Sequence, residues 1–366
     1  MPARFLVLFL ALIFSGLTAF GQVSPRPLSL PSRPGYAPER FFVADLRDER
    51  PQPGAVGTIF GETTPGGPSP KLVPLPLANN ALERFLKAAR RPDTTNWAVV
   101  VRVKKLQFSE KATSPARQAD GQLTAVLAFD LLRNGQRTHL TDFEGGAKYS
   151  RGLGPTELHG TLLRQTLEAG LKYLDQWLRL NAPTQEVLAK RVRITFNPGF
   201  TGSPDKGDTV FYDPRRPLTW DDFRAAPRSG KNYGAAVFSS FGYEATARTV
   251  TGVVEVVMTL KVYQLKNSSW VWPVAKHDYA LRHEQLHFDI TRLVAERFRQ
   301  KLQAEDLQPD EYDSRIQFLF LESFREMNQL QEQYDDETAH SINRAAQARW
   351  DDKITDELRP FLARNP

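Results

Sequence analysis

The sequence predicts an α+β protein in two parts, an N-terminal α+β module followed by antiparallel strands and three C-terminal helices, and three observations carry that reading. Apolar residues alternate along 97–108 and 252–265, the pattern of a half-buried strand. Beyond Trp272 and Pro273 the period turns helical and stays so to the end. Between the halves, 181–208 mixes Pro, Gly and Lys around one short apolar run at 192–196, which marks a boundary. A chain of 366 residues exceeds what one hydrophobic core usually serves, so domains are expected at 39–195 and 196–366.

The N-terminus reads as an export signal over 1–21: Arg4 is its positive start, 5–17 is nearly all apolar, and Ala19-Phe20-Gly21 places small residues before a cut. A Pro-, Ser- and Arg-rich leader follows over 22–38. An apolar run this short does not span a bilayer securely and no later one replaces it, so the mature chain is expected to be periplasmic or secreted, without stable membrane insertion. The chain has no cysteine, which excludes disulfides and thiolate metal sites and leaves His and carboxylate as the ligands for any transition metal. The net charge is +6, but Lys and Arg are interleaved with Asp and Glu, and no basic-aromatic ladder marks a nucleic-acid partner.

In the N-terminal module, 41–46 and 56–60 read as strands, 64–70 as a loop, and 78–89 as a helix with Leu82, Phe85, Leu86 and Ala89 on one side. The strand 123–132 ends at Asn134-Gly135, a pair suited to the positive φ angles of a tight hairpin, and returns over 136–149. Leu158, Leu162, Leu167, Leu171, Leu174 and Leu178 mark one face of a long helix after Pro155. This order is similar to small envelope-protein modules of the lipoprotein type, an analogy of fold that carries no site. In the second part, strands are expected at 209–212, 235–247 and 252–265, and helices at 274–303, 310–331 and 337–363.

His283-Glu284-Gln285-Leu286-His287 is an H-E-x-x-H motif inside a strong helical pattern. Imidazoles at i and i+4 lie one turn apart on the same face, so both can reach one Zn2+ ion, and Glu284 beside them is placed to take a proton from activated water. Chance occurrence on a surface helix is the bland alternative, made less credible by the four of six histidines that fall between His277 and His340. A catalytic zinc wants three protein ligands and one open position. The longer motif that would supply a third histidine from the same helix is absent, and His340 is the best candidate, with Asp335 or Asp336 capping the start of the last helix. Glu337, one turn before His340, is a rival ligand, as are Glu322 and Glu326 on the middle helix. Tyr334 could donate a hydrogen bond to a developing oxyanion or could simply pack. Asp289, about 200° round the helix from His287, is expected to pair with a basic group. Gln347, nearly two turns after His340, is expected near the site, while Trp350, Ile354 and Leu358 form a core stripe. His277 is expected at the surface, and His139 and His159 show no partner in the sequence.

Leu218-Thr219-Trp220-Asp221-Asp222-Phe223, Ser269-Trp270, His283 to Asp289, and Tyr334-Asp335 with Glu337, Thr338, His340, Gln347 and Trp350 together resemble a bacterial family of uncharacterised exported proteins described as predicted secreted zinc-dependent proteases. The resemblance covers roughly 209–355 and implies a zincin-like domain with peptidase chemistry on a peptide or protein substrate. Ser341 departs from the glycine expected after the histidine. The residues also admit a non-catalytic envelope protein with a structural or vestigial site, or a zinc amidase acting on cell-wall peptides. A strand such as 252–265 beside the metal helix could pair with an extended substrate.

Overall fold

The computed structural model describes residues 26–61, 71–113, 118–154, 157–197, 205–227 and 233–362. The expected signal peptide, the loop at 64–70 and Pro155 lie outside the described residues. The chain divides into two units, one up to Arg179 and one from Leu180.

The first unit is a mixed six-stranded sheet with helices. Its elements are β1 (Phe41–Asp48), β2 (Ala55–Phe60), β3 (Leu72–Pro76), α1 (Ala81–Lys87), β4 (Trp97–Ala112), β5 (Gln118–Arg133), β6 (Gln136–Gly152) and α2 (Leu158–Asn181). β4, β5 and β6 form an antiparallel meander. β1 and β2 lie parallel to β4, β1 along its first half and β2 near its end. Asn134 and Gly135 take φ of 48° and 76°, the left-handed pair that the hairpin between β5 and β6 demands. Gly57 is held at φ 105°, where a Cβ would stand 2.0 Å from the Phe108 carbonyl oxygen, so only glycine lets β2 approach β4 there.

The buried face of α2 carries Leu163, Leu167, Leu171, Leu174 and Leu178, each contributing about 2 kcal/mol on removal from water. Leu158 and Leu162, expected on that face, are only half-buried, and Leu163 takes their place. Gly170 lets the helix lie close to the sheet, since a Cβ there would sit 2.8 Å from Leu127 Cδ1. His159 and His139 do have partners, supplied by distant strands: His159 Nε2 lies 3.0 Å from Glu110 Oε1, and His139 Nδ1 lies 3.2 Å from Asp130 Oδ1. Glu110 is buried and also accepts from both Nε and Nη2 of Arg151, from the Tyr149 hydroxyl and from the Phe60 N–H, so its charge is fully compensated.

The second unit adds β7 (Arg191–Phe196), β8 (Asp205–Lys206), β9 (Thr209–Phe211), β10 (Ala235–Ala236), β11 (Ser239–Val250), β12 (Val253–Leu265), β13 (Trp270–Val271), α3 (Asp278–Ala304), α4 (Tyr312–Thr338) and α5 (Arg344–Leu362). The short apolar run read as part of a boundary is β7, which pairs in parallel with β12. β12 is the central strand, with β11 on one side and β7 and β9 on the other. It therefore has no long free edge, which corrects the expectation that 252–265 could receive a substrate strand. The expected strand at 235–247 is broken into β10, which pairs with β13, and β11, which pairs with β12.

Val254, Val256, Met258, Leu260 and Val262 project from one face of β12 into a core shared with Phe288, Val294, Ala295 and Phe298 of α3. Leu286, Ile290 and Leu293, on another face of α3, pack with Tyr334 of α4 and with Trp350, Ile354 and Leu358 of α5. Apolar on two sides, α3 is a central helix, and the H-E-x-x-H motif lies in its first half. α3 begins at Asp278, four residues later than expected, and the break between the last two helices also moves. α4 runs on to Thr338 and α5 begins only at Arg344, because Tyr334 and Thr338 keep the buried stripe of α4 going, and the break comes at Ala339, His340 and Ser341. Among the described residues, no helix is long and apolar enough to cross a membrane.

Candidate metal centre

His283 and His287 project from successive turns of α3, with ring centroids 5.0 Å apart and planes at 87°. Both Nε2 atoms face Asp335 Oδ1, at 3.1 and 3.0 Å. These three donor atoms lie within 4.8 Å of one another. A tetrahedral ion with bonds of about 2.0 to 2.2 Å holds its donors about 3.3 to 3.6 Å apart, so each of the two His–Asp335 distances needs to open by only a few tenths of an ångström to suit one. Burial raises the Asp335 carboxyl, but the hydrogen bonds and charges of His283 and His287 outweigh it and hold the group far below the usual carboxylate range.

From sequence, Asp335 is expected as a cap for the last helix and not as a ligand. The extension of α4 changes that role, since a residue in the last turn of one helix cannot cap the next. The available signal was the four-residue spacing of Met327, Gln331 and Asp335, in which Met327 is buried and the other two line the pocket.

His340 stands beside the trio, with Nδ1 3.3 Å from Asp335 Oδ1 and its ring 4.7 Å from that of Tyr233. It is presented by a turn in which Ala339, His340 and Ser341 all have positive φ, at 47°, 50° and 75°. Non-glycine residues in this region cost about 1 kcal/mol or more each, and Ser341 stands where the resemblance leads one to expect glycine. Glu337 is engaged elsewhere, accepting from Trp350 Nε1 at 2.7 Å. Glu326 pairs with Arg297 and Lys301, and Glu322 with Arg325. None of these three glutamates lines the pocket.

Glu284 is buried and lines the same pocket as both histidines. Its Oε2 accepts from the Val237 N–H at 2.7 Å. Burial pushes its carboxyl up to about 7, against the lowering effect of His283 and of the Val237 N–H, and the Asp335 charge adds to the rise. A carboxyl near neutrality is matched to accepting and returning a proton.

Tyr334 lies beneath the two imidazoles, stacked on His283 at 4.6 Å and edge-on to His287 at 4.9 Å. It is completely buried, its hydroxyl approaches the His283 carbonyl at 3.5 Å, and it does not line the pocket. The structure gives it a packing position, in place of the oxyanion-facing one considered from sequence. Gln347 reaches the site as expected: its Nε2 donates to the Tyr279 carbonyl at 3.4 Å, which turns Oε1 toward His283 Nδ1 at 3.2 Å. His277 caps α3, its Nδ1 accepting from the Ala280 N–H, and also lines the pocket.

The far side of α3 explains the Leu218 to Phe223 segment. Gln285 accepts from the Leu218 N–H at 2.8 Å and donates to Asp289, which also accepts from the Tyr212 hydroxyl and pairs with Arg282. Thr219 and Asp222 form a reciprocal cap, and Arg216 makes two bonds of 2.8 Å to Asp222. Asp289 thus pairs with a basic group, as its place on the helix implied, and the segment braces the metal helix from behind.

The pocket is about 300 Å³ in volume, lined by residues 233–237, by Ala275, His277 and Ala280, and by His340, Ser341 and Ile342. Two imidazoles and a carboxylate at an ion's spacing, open to a cavity that a buried glutamate also faces, define a candidate metal centre. Residues 246–341 match the profile of a bacterial family of unknown function (DUF922). That segment lies within the one for which the sequence resembles an uncharacterised exported family, and it holds the whole donor set. No curated protein matches the chain. The crystal structure of a Xanthomonas campestris protein from the DUF330 family is similar over 43% of this chain and 94% of its own, at 14% identity and a TM-score of 0.25, a likeness too slight to bear on fold or function.

Proposed function

We propose that this protein is an exported zinc-dependent hydrolase acting on peptide bonds. The observation that carries the reading is the convergence of His283 Nε2, His287 Nε2 and Asp335 Oδ1 at the wall of a pocket that Glu284 shares. The all-nitrogen-and-oxygen donor set suits zinc, which when bound supplies Lewis-acid polarisation and lowers the pKa of water. The export assignment rests on the apolar N-terminal run with its small residues before a cut.

The chain's own groups then act as follows. Gln347 fixes the His283 tautomer from behind by accepting from Nδ1–H, which leaves the Nε2 lone pair for the ion. Glu284 Oε2 is anchored by the Val237 N–H, so Oε1 takes a proton from the attacking water and delivers it to the leaving nitrogen. His340, at the pocket wall, is close enough to the site to hydrogen-bond the substrate side of the reaction.

A second reading has one observation in its favour. The 3.3 Å between His340 Nδ1 and Asp335 Oδ1 is also a ligand spacing, and four protein donors would make a closed structural site. Glu284→Gln separates the two readings. In the hydrolase it keeps about one zinc per chain and loses peptide cleavage by about 10²-fold or more; cleavage at the parent rate contradicts the mechanism.

A further inference from the structure

One acceptor in the pocket has no part in the mechanism above. α3 and α4 run antiparallel: Asp335 meets His283 and His287, Gln331 meets Thr291, and Glu326 meets Arg297 and Lys301. Gln331 lines the pocket one turn before Asp335, which puts it about 6 Å along α4 from the donor set.

Its amide is oriented by a buried chain of hydroxyl groups. Thr291 is completely buried, and its hydroxyl donates to the His287 carbonyl at 3.0 Å, one turn back on α3. A hydroxyl has one proton and two lone pairs, so with that proton spent its other two neighbours must donate to it. They are Ser239 Oγ at 2.8 Å and Gln331 Nε2 at 3.1 Å. Turning the Gln331 amide over would set Oε1 against an oxygen with no proton to offer, where little water can compensate. Nε2 is therefore the end tied to the protein and Oε1 the end left for the pocket, and no hydrogen bond to Oε1 is made among the described residues. The neighbouring groups are committed: His283, His287 and Asp335 to one another, Glu284 Oε2 to the Val237 N–H, and His277 Nδ1 to the Ala280 N–H.

We propose that Gln331 determines specificity by accepting, at Oε1, a hydrogen bond from an N–H of the substrate, and that Thr291, backed by Ser239, is the positioning residue that keeps this acceptor turned outward. This deepens the hydrolase reading and rests on it for the ion. An extended chain advances about 3.3 Å per residue, so the N–H that reaches Gln331 belongs to the first or second amide from the group held at the ion. The substrate class is a chain with an N–H at that place. An ester link or a proline there leaves the acceptor facing an oxygen or a carbon, and a site built to meet a donor rejects the analogue that lacks it.

The probes are two alanine tripeptide hydroxamates, one with the zinc-binding group at its C-terminus and one with it at its N-terminus. Each is also made in versions in which a single backbone N–H is replaced by an ester oxygen. Binding to the zinc-loaded full chain is read by calorimetry, which needs no turnover. One ester position in one series is expected to lose about tenfold in affinity. At unchanged zinc content that loss disappears in Gln331→Leu, shrinks to about threefold or less in Thr291→Val and is kept in Thr291→Ser, which retains the hydroxyl. The double variant Gln331→Leu with Thr291→Val responds to the esters as Gln331→Leu alone does, because Thr291 acts only through Gln331. An ester loss undiminished in Gln331→Leu, or no loss at any position, overturns the inference and leaves the hydrolase reading intact. A loss removed by Gln331→Leu but untouched by Thr291→Val overturns the role of Thr291 alone. Should the ester dependence hold while no peptide is cleaved, the acceptor stands and the peptidase reading falls; if neither hydroxamate binds a chain that holds its zinc, both fall.

Discussion

Gln347 Oε1 lies 3.2 Å from His283 Nδ1, and this contact from α5 sets which nitrogen of that histidine is free for a metal. The Gln347 amide is itself oriented by the Tyr279 carbonyl, so the arrangement is determined from behind the site. Removing such an outer partner typically costs 10- to 100-fold, on the order of 1 to 3 kcal/mol, in metal affinity. Gln347→Leu is therefore expected to weaken zinc binding by about that factor in a chelator competition, with the thermal unfolding of the zinc-free protein little changed. An affinity equal to the parent's would show that the contact does not orient the ligand.

Tyr334 separates packing from catalysis. Its ring supports both imidazoles while its hydroxyl makes only a 3.5 Å approach to a carbonyl, so Tyr334→Phe should leave kcat within a few-fold of the parent. Loss of a true oxyanion donor would cost about 10² to 10³ in kcat. Tyr334→Ala should destabilise the second unit by about 3 to 5 kcal/mol through the cavity it leaves. A large kcat loss in the Phe variant at unchanged zinc content would return Tyr334 to the reaction.

Glu110 makes the first unit sensitive to acid. Burial raises its carboxyl, but the hydrogen bonds from His159, Arg151 and the Phe60 N–H outweigh this and bring it down from 4.5 to about 2. A carboxyl depressed in the folded state contributes stability that is present above its unfolded pKa and is lost as the pH falls through the folded one. The contribution of about 3 kcal/mol should fade between pH 4.5 and 2. Glu110→Gln should be less stable than the parent at pH 7 in urea unfolding, and the gap between them should narrow as the pH falls toward 2. A gap that does not change with pH would contradict the assignment.

Much of this was legible before any coordinates. The α+β class, the hairpin at Asn134-Gly135, the leucine face of α2 and the central alternation of β12 follow from periodicity and turn chemistry, which are local. So does the pairing of His283 with His287, because a helix alone brings i and i+4 together. What stayed hidden was set by tertiary contact. Asp335 reaches the histidines because α4 continues past the polar stretch that looked like an end, held by the burial of Tyr334 and Thr338. The partners of His139 and His159 lie on strands 9 and 49 residues away, a separation no local pattern encodes. The strand expected to meet a substrate, β12, is central, because β7 and β9, distant in sequence, cover the edge that β11 leaves.

Which carboxylate or imidazole completes the metal site is read directly by elemental analysis of purified variants. The wild type and His340→Ala are expected to retain about one zinc per chain, and Asp335→Ala to retain almost none while remaining folded by circular dichroism. Zinc kept by Asp335→Ala and lost by His340→Ala would move the third ligand to His340 and contradict the site described above.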